Sequence, residues 1–122
     1  YPDSKAAALV IGAYRASKAA LNRYTQALAD ELCDQNIYVN AMAPNNIVLT
    51  SVSEDVRAIA QRRPDMAEPI EMMAEAALAL CTGRHVGRVV YSRNIVHELG
   101  RPVKSLDGTQ VLGDSLMPAE ID

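Results

Sequence analysis

The chain has no tryptophan and no phenylalanine, and five tyrosines are the only large rings among its 122 residues. A core built without Phe or Trp must rest on Ala, Leu, Val, Ile and Met. Two cysteines, Cys33 and Cys81, are too few for a disulfide framework. They read as reduced intracellular thiols, which implies a cytoplasmic location. His85 and His97 have no Cys or carboxylate at ligand spacing, so no metal is expected. A net charge of -3 gives no general attraction to phosphate backbones or anionic lipid, so neither nucleic acid nor a membrane surface is an expected partner. The uncharged stretch 36–53 holds four Asn and Pro44, and nothing in the chain reads as a bilayer span. An initiating Met is absent as well: the chain opens on Tyr1 with no signal-peptide pattern, and it reads as the C-terminal part of a longer protein.

What is present is ordinary for a folded chain. Apolar residues make up 49% of it, enough for one small domain and too short a chain for two. Residues 1–12 read as a lead-in, turn-like at Tyr1-Pro2-Asp3-Ser4 and then apolar up to Gly12. Residues 13–34 read as a helix, because Tyr14, Lys18, Leu21, Thr25, Leu28 and Leu32 recur at steps of four and three. Its many alanines raise helix propensity and leave thin faces that a second helix can approach. Residues 37–43 read as a strand ended by Pro44, and Asn45-Asn46 as a turn.

Further helices are expected over 53–61, capped by Ser53, and over 68–81, with Pro69 in the first turn and Gly83 past the end. The second of these would bury Ile70, Met73, Ala77 and Leu80 or Cys81. A second strand covers 87–91, and Asp107-Gly108 is a hairpin signal between 103–106 and 109–112. Strands separated by helices point to a parallel α/β sheet. Two strands cannot form a stable parallel sheet, so its neighbours are expected upstream of Tyr1.

Tyr14 and Lys18 stand four apart on one helix and therefore share a face. A phenol is by itself a poor acid or base at neutral pH, and a nearby ammonium together with a helix N-terminus favours its ionised form. Such a pair suits proton transfer to a carbonyl oxygen or from an alcohol. Spacing alone is weak support, since Tyr1 and Lys5 repeat it beside Pro2, and a surface tyrosine beside a solvated lysine has the same spacing.

The surrounding residues are more specific. Tyr14-Arg15-Ala16-Ser17-Lys18-Ala19-Ala20-Leu21, followed by Ile37-Tyr38-Val39-Asn40-Ala41-Met42-Ala43-Pro44, resembles the short-chain dehydrogenase/reductase family, closely over 12–50 and loosely over 66–91. The resemblance implies an α/β fold of Rossmann type with a doubly wound parallel sheet. Only the C-terminal part of one domain, about two core strands and their helices, would be present, without the dinucleotide-binding half. It implies NAD or NADP as cofactor and a small-molecule carbonyl/alcohol pair as substrate. Tyr14 would be the acid/base, and Lys18 would hold the nicotinamide ribose. Pro44, Asn45, Asn46, Ile47 and Thr50 would pass beside the nicotinamide. A homodimer or homotetramer through the Tyr-bearing helix is also implied.

The chain departs from the family where Asn45 replaces the usual Gly after the proline, and where Thr50 falls one residue late. Asn tolerates the left-handed conformation a Gly would adopt. Ser4, ten residues before Tyr14, is a poor match for the family's serine and reads rather as a turn-capping hydroxyl. Residues 51–73 correspond to the segment over the substrate, so Met66, Met72 and Met73 suit either a substrate wall or the core. Arg62-Arg63 reads as a solvated helix end, and residues 92–122 depart from the family's usual ending. The leading reading is a nicotinamide-dependent oxidoreductase. The alternative is a truncated, inactive relative serving as an oligomerisation or interaction module, and an epimerase or dehydratase relative shares the same pair.

Overall fold

The computed structural model describes residues 5–51 and 54–113, which divide into two compact units, 5–41 with 85–89 and 42–84 with 90–113. Four helices and six short strands occur among the described residues: α1 Lys5–Leu32, β1 Ala41–Ala43, β2 Ile47–Val48, α2 Glu54–Arg62, β3 Ala67–Glu68, α3 Ile70–Thr82, β4 Val89–Tyr91, α4 Ser92–Glu98, β5 Val103–Lys104 and β6 Val111–Gly113.

In the first unit α1 begins eight residues before the expected start, and the supposed lead-in is helical from Lys5. A lone Gly12 costs a helix only about 1 kcal/mol, and the Ala6-Ala7-Ala8-Leu9 run before it outweighs that. The helix closes in a 3-10 turn, Cys33–Gln35, and Asn36 adopts the left-handed conformation with φ of 60°. The N–H of Asn36 donates to the Cys33 carbonyl, a helix-ending arrangement Asn accepts readily. Among residues 11–32 of α1 the buried positions are Thr25 and Ala29, whereas Ile11, Tyr14, Leu21 and Tyr24 are exposed. Residues 39–41 run beside 85–88: Gly87 N–H donates to Val39 O and Ala41 N–H to Arg88 O. The Asn40 side chain brackets the same stretch, its Nδ2 donating 2.7 Å to His85 O and its Oδ1 accepting from Arg88 N–H at 3.0 Å. Gly87 has φ of +67°, and a Cβ there would stand 3.4 Å from Ala29 Cβ.

The second unit holds the principal core. Met72, Ala76 and Ala79 of α3 meet Ile95 and Val96 of α4, with Val90 and Val103 completing the cluster and Met42 and Leu80 packed on it. The expected apolar face of this helix was therefore one position out, since Ile70 is exposed and Met73, Ala77 and Leu80 are only half-buried. Small Ala76 and Ala79 permit the close approach of α4, an element absent from the sequence reading. That helix lies where only strand and connection were expected, although Ile95, Val96 and Leu99 have helical spacing. Pro69 and Gly83 flank α3, and Glu68 belongs to β3 rather than to the helix. The expected Ser53 cap of α2 lies outside the described residues.

Sheet pairing is limited to three two-stranded sheets among the described residues, β1–β4, β2–β3 and β5–β6. The β2–β3 pair is parallel, with Ile47 opposite Ala67 and Val48 opposite Glu68. A doubly wound sheet is not formed by these elements, and the strand expected over 37–43 shortens to Ala41–Ala43. The hairpin is antiparallel as the Asp107-Gly108 pair predicts. Asp107 Oδ1 accepts from Ser105 Oγ, Thr109 N–H and Thr109 Oγ, and these bonds, led by Ser105, lower its carboxyl to about 2. No helix among the described residues is long and apolar enough to cross a membrane.

Candidate functional site

Tyr14 and Lys18 lie on consecutive turns of α1, and the structure brings them together: Lys18 Nζ stands 5.5 Å from the centre of the Tyr14 ring. Helical spacing alone produces this approach. Tyr14 is 61% exposed, and residues 11–21 of α1 are exposed throughout. No carboxylate occurs in that stretch, and among the described residues none pairs with Lys18. The pair thus presents an unneutralised ammonium and a phenolic O–H on an open helix face. Ser17 Oγ donates back to Tyr14 O at 2.7 Å, a local bond within the helix.

The second group of expected site residues, 44–50, belongs to the other unit. Pro44 is exposed, Ile47 sits in β2, and Thr50 is exposed with its N–H donating to Val48 O. Asn45 and Asn46 have internal partners. Their N–H groups donate to Glu68 Oε2 at 3.1 and 3.2 Å. Asn45 Oδ1 accepts from Arg93 N–H at 2.9 Å and its Nδ2 donates to Asn94 Oδ1, while Asn46 Nδ2 donates to Asp65 O. The left-handed turn anticipated for Asn45 does not form, because Asn36 is the sole non-glycine with positive φ among the described residues. Asn45 is used instead for its side-chain amide, whose oxygen takes an N–H from the first turn of α4, an element whose own preceding residue offers no side-chain cap.

Glu68 is the centre of this cluster, and the sequence did not single it out. Its carboxylate is fully buried, and Ser92 Oγ donates to Oε1 at 2.5 Å. Arg93 Nε lies 3.6 Å from Oε2, an ion pair without a hydrogen bond, while Arg93 Nη2 donates to Ala67 O. The residues that donate to Glu68 stand 22 to 24 positions from it in the chain, so no local spacing rule identifies them. Glu68 immediately before a proline is the one hint, since a charged residue at a strand end needs a partner if buried.

The remaining candidates find other places. Met72 is core, Met73 is half-buried and Met66 is exposed. Arg63 is engaged by Asp65 through two bonds, Nε to Oδ1 at 2.9 Å and Nη2 to Oδ2 at 2.6 Å, which hold the Asp65 carboxyl below the ordinary range. Cys81 is exposed rather than buried, and Cys33 is half-buried. Ser4 lies outside the described residues. Among the described residues no three His, Cys, Asp or Glu side chains gather as a metal site.

No curated protein and no solved structure matches the chain. The family model of short chain dehydrogenase matches residues 3–61, a stretch that carries Tyr14, Lys18 and the whole of 44–50. Over residues 3–61 the chain is similar to the short chain dehydrogenase family.

Proposed function

We propose that the protein is an NAD(P)-dependent oxidoreductase that interconverts a carbonyl and an alcohol on a small molecule. The family match over residues 3–61 supports nicotinamide-dependent oxidoreduction in general. The observation that carries the finer reading is the Tyr14–Lys18 pair, close together on an open face of α1 inside the matched stretch. The donor set fits a nicotinamide ribose: an ammonium without a carboxylate partner suits a vicinal diol, and a phenol beside it suits a carbonyl oxygen. Asn45 and Asn46 fit less directly, since their polar groups already have partners within the fold. They support the segment, and Pro44, Ile47 and Thr50 would offer its outer edge.

When bound, the nicotinamide supplies or accepts hydride at the reacting carbon. Tyr14 donates the proton from its hydroxyl to the carbonyl oxygen in reduction and takes it back from the alcohol in oxidation. Lys18 donates hydrogen bonds to the ribose hydroxyls and so holds the ribose beside the phenol. In this reading the 122 residues are the C-terminal part of one Rossmann-type domain, and the phosphate-binding half lies elsewhere. Exposed Ile11, Leu21 and Tyr24 on α1 favour association of this helix with a second copy. The same exposure favours the second reading, a truncated relative serving as an interaction module.

Nicotinamide fluorescence separates them. NADH and NADPH are titrated into the full-length enzyme and its Lys18→Met variant. Loss of a charge-assisted hydrogen bond of about 1.5–3 kcal/mol weakens binding roughly tenfold to a hundredfold. Equal affinity for the two proteins rejects the role given to Lys18. Tight binding by the 122-residue chain alone rejects the truncated reading.

A further inference from the structure

We infer that Glu68 is the positioning residue of the 44–50 segment, the backbone along which the proposed nicotinamide edge is laid. The inference rests on the preceding reading for what the segment faces, and on geometry for how it is held. Glu68 is joined to the segment twice. Its backbone lies in β3 opposite Val48 of β2, and its side chain returns to accept the N–H groups of Asn45 and Asn46 through Oε2. The other oxygen, Oε1, accepts from Ser92 Oγ.

The carboxylate itself is fixed from the far side. Ser92 and Arg93 begin α4, whose Ile95 and Val96 are buried in the core, and Arg93 Nη2 donates to Ala67 O in the strand that bears Glu68. Side chains of the core therefore locate α4, α4 locates the carboxylate, and the carboxylate locates two consecutive amides just before Ile47. A fully buried carboxylate with an ionic partner and three hydrogen-bond donors has little freedom to move. Glu68 is assigned no reacting role, and it acts only through the segment it holds.

Amide hydrogen exchange on the 15N-labelled 122-residue chain tests this, with three variants. Glu68→Met keeps the volume and reach but accepts no hydrogen bond. Glu68→Gln keeps one oxygen for the two amides and places its NH2 toward Ser92. Arg101→Met removes the partner of the other buried acid, Glu75, and serves as the control. Exchange at Asn45 and Asn46 should quicken roughly tenfold or more in Glu68→Met and stay within about threefold of wild type in Glu68→Gln and Arg101→Met. A role in packing alone predicts that Met serves as well as Glu, and that result overturns the inference. Equal acceleration by Met and Gln, or by Arg101→Met, overturns it too. If Glu68→Met does not fold, scalar coupling across the hydrogen bond from the Asn45 and Asn46 amides to the Glu68 carboxylate carbon is measured in the wild-type chain. Its presence supports the inference and its absence overturns it. Tyr14→Phe should leave all these exchange rates unchanged, so a failure of the oxidoreductase reading is seen separately, in turnover.

Discussion

The first unit displays its chemistry, whereas the second encloses it. On α1 the phenol and the ammonium of Tyr14 and Lys18 stand open, with only Thr25 and Ala29 buried on that helix among the residues 11–32. In the second unit a carboxylate, a hydroxyl and a guanidinium are buried and directed at one another. The family match stops at residue 61, yet all seven residues of the core cluster lie after it, from Met72 to Val103. Family likeness and stability are therefore carried by different stretches of chain. Reactive side chains are restricted by the chemistry they perform, while a core needs only suitable volume and pattern.

The contrast is broken or sharpened most strongly by truncating the core. Met72→Ala should cost about 2–5 kcal/mol in urea unfolding, because the side chain is fully buried and α3 and α4 cannot both collapse onto the space. Leu21→Ala, on the open face of α1, should change the same midpoint by no more than about 0.5 kcal/mol in the monomeric chain. Similar losses for the two would erase the distinction between the units.

A smaller effect is expected within the first unit. Gly87→Ala forces an L side chain into φ of +67° and brings its Cβ to 3.4 Å from Ala29 Cβ. The left-handed conformation costs roughly 1–2 kcal/mol, so this variant should unfold at correspondingly lower urea. An unchanged midpoint would show that the 85–88 stretch is not pressed against α1.

The smallest effect is local and depends on pH. Asp107 is ordinarily near 3.8, and its bonds from Ser105 and Thr109 lower it to about 2. A lowered carboxyl contributes stability that is complete above about pH 4 and disappears as pH falls through about 2. The amide signals of Thr109 and Gln110 should lose dispersion across that interval. The Asp107→Asn variant should show no such transition; a matching transition in it would assign the change to another group.

What the sequence disclosed follows the range of the interactions. The Tyr14–Lys18 approach, the Gly83 end of α3 and the Asp107-Gly108 hairpin are local, set by spacings of a few residues, and the structure has each of them. The start of α1 is not marked in the sequence, because Gly12 and the apolar run before it also suit a lead-in ending in a turn. The face of α3 was displaced by one position because Ala76 and Ala79 carry little hydrophobic signal, although their smallness lets α4 approach. Glu68, Ser92 and Arg93 were not legible, since their partnership depends on elements brought together from distant parts of the chain. Asn45 suggests backbone tolerance by its place after Pro44, whereas the fold uses its side-chain amide.

Steady-state turnover of the protein with Tyr14 replaced by Phe tests the account at its centre. Removal of one hydroxyl from the open face of α1 should lower turnover roughly a hundredfold to ten-thousandfold, the usual contribution of a general acid–base group. Binding of NADH or NADPH by the same variant should stay as in the wild type. Turnover that survives the substitution would contradict the assignment of Tyr14 as the proton donor and acceptor.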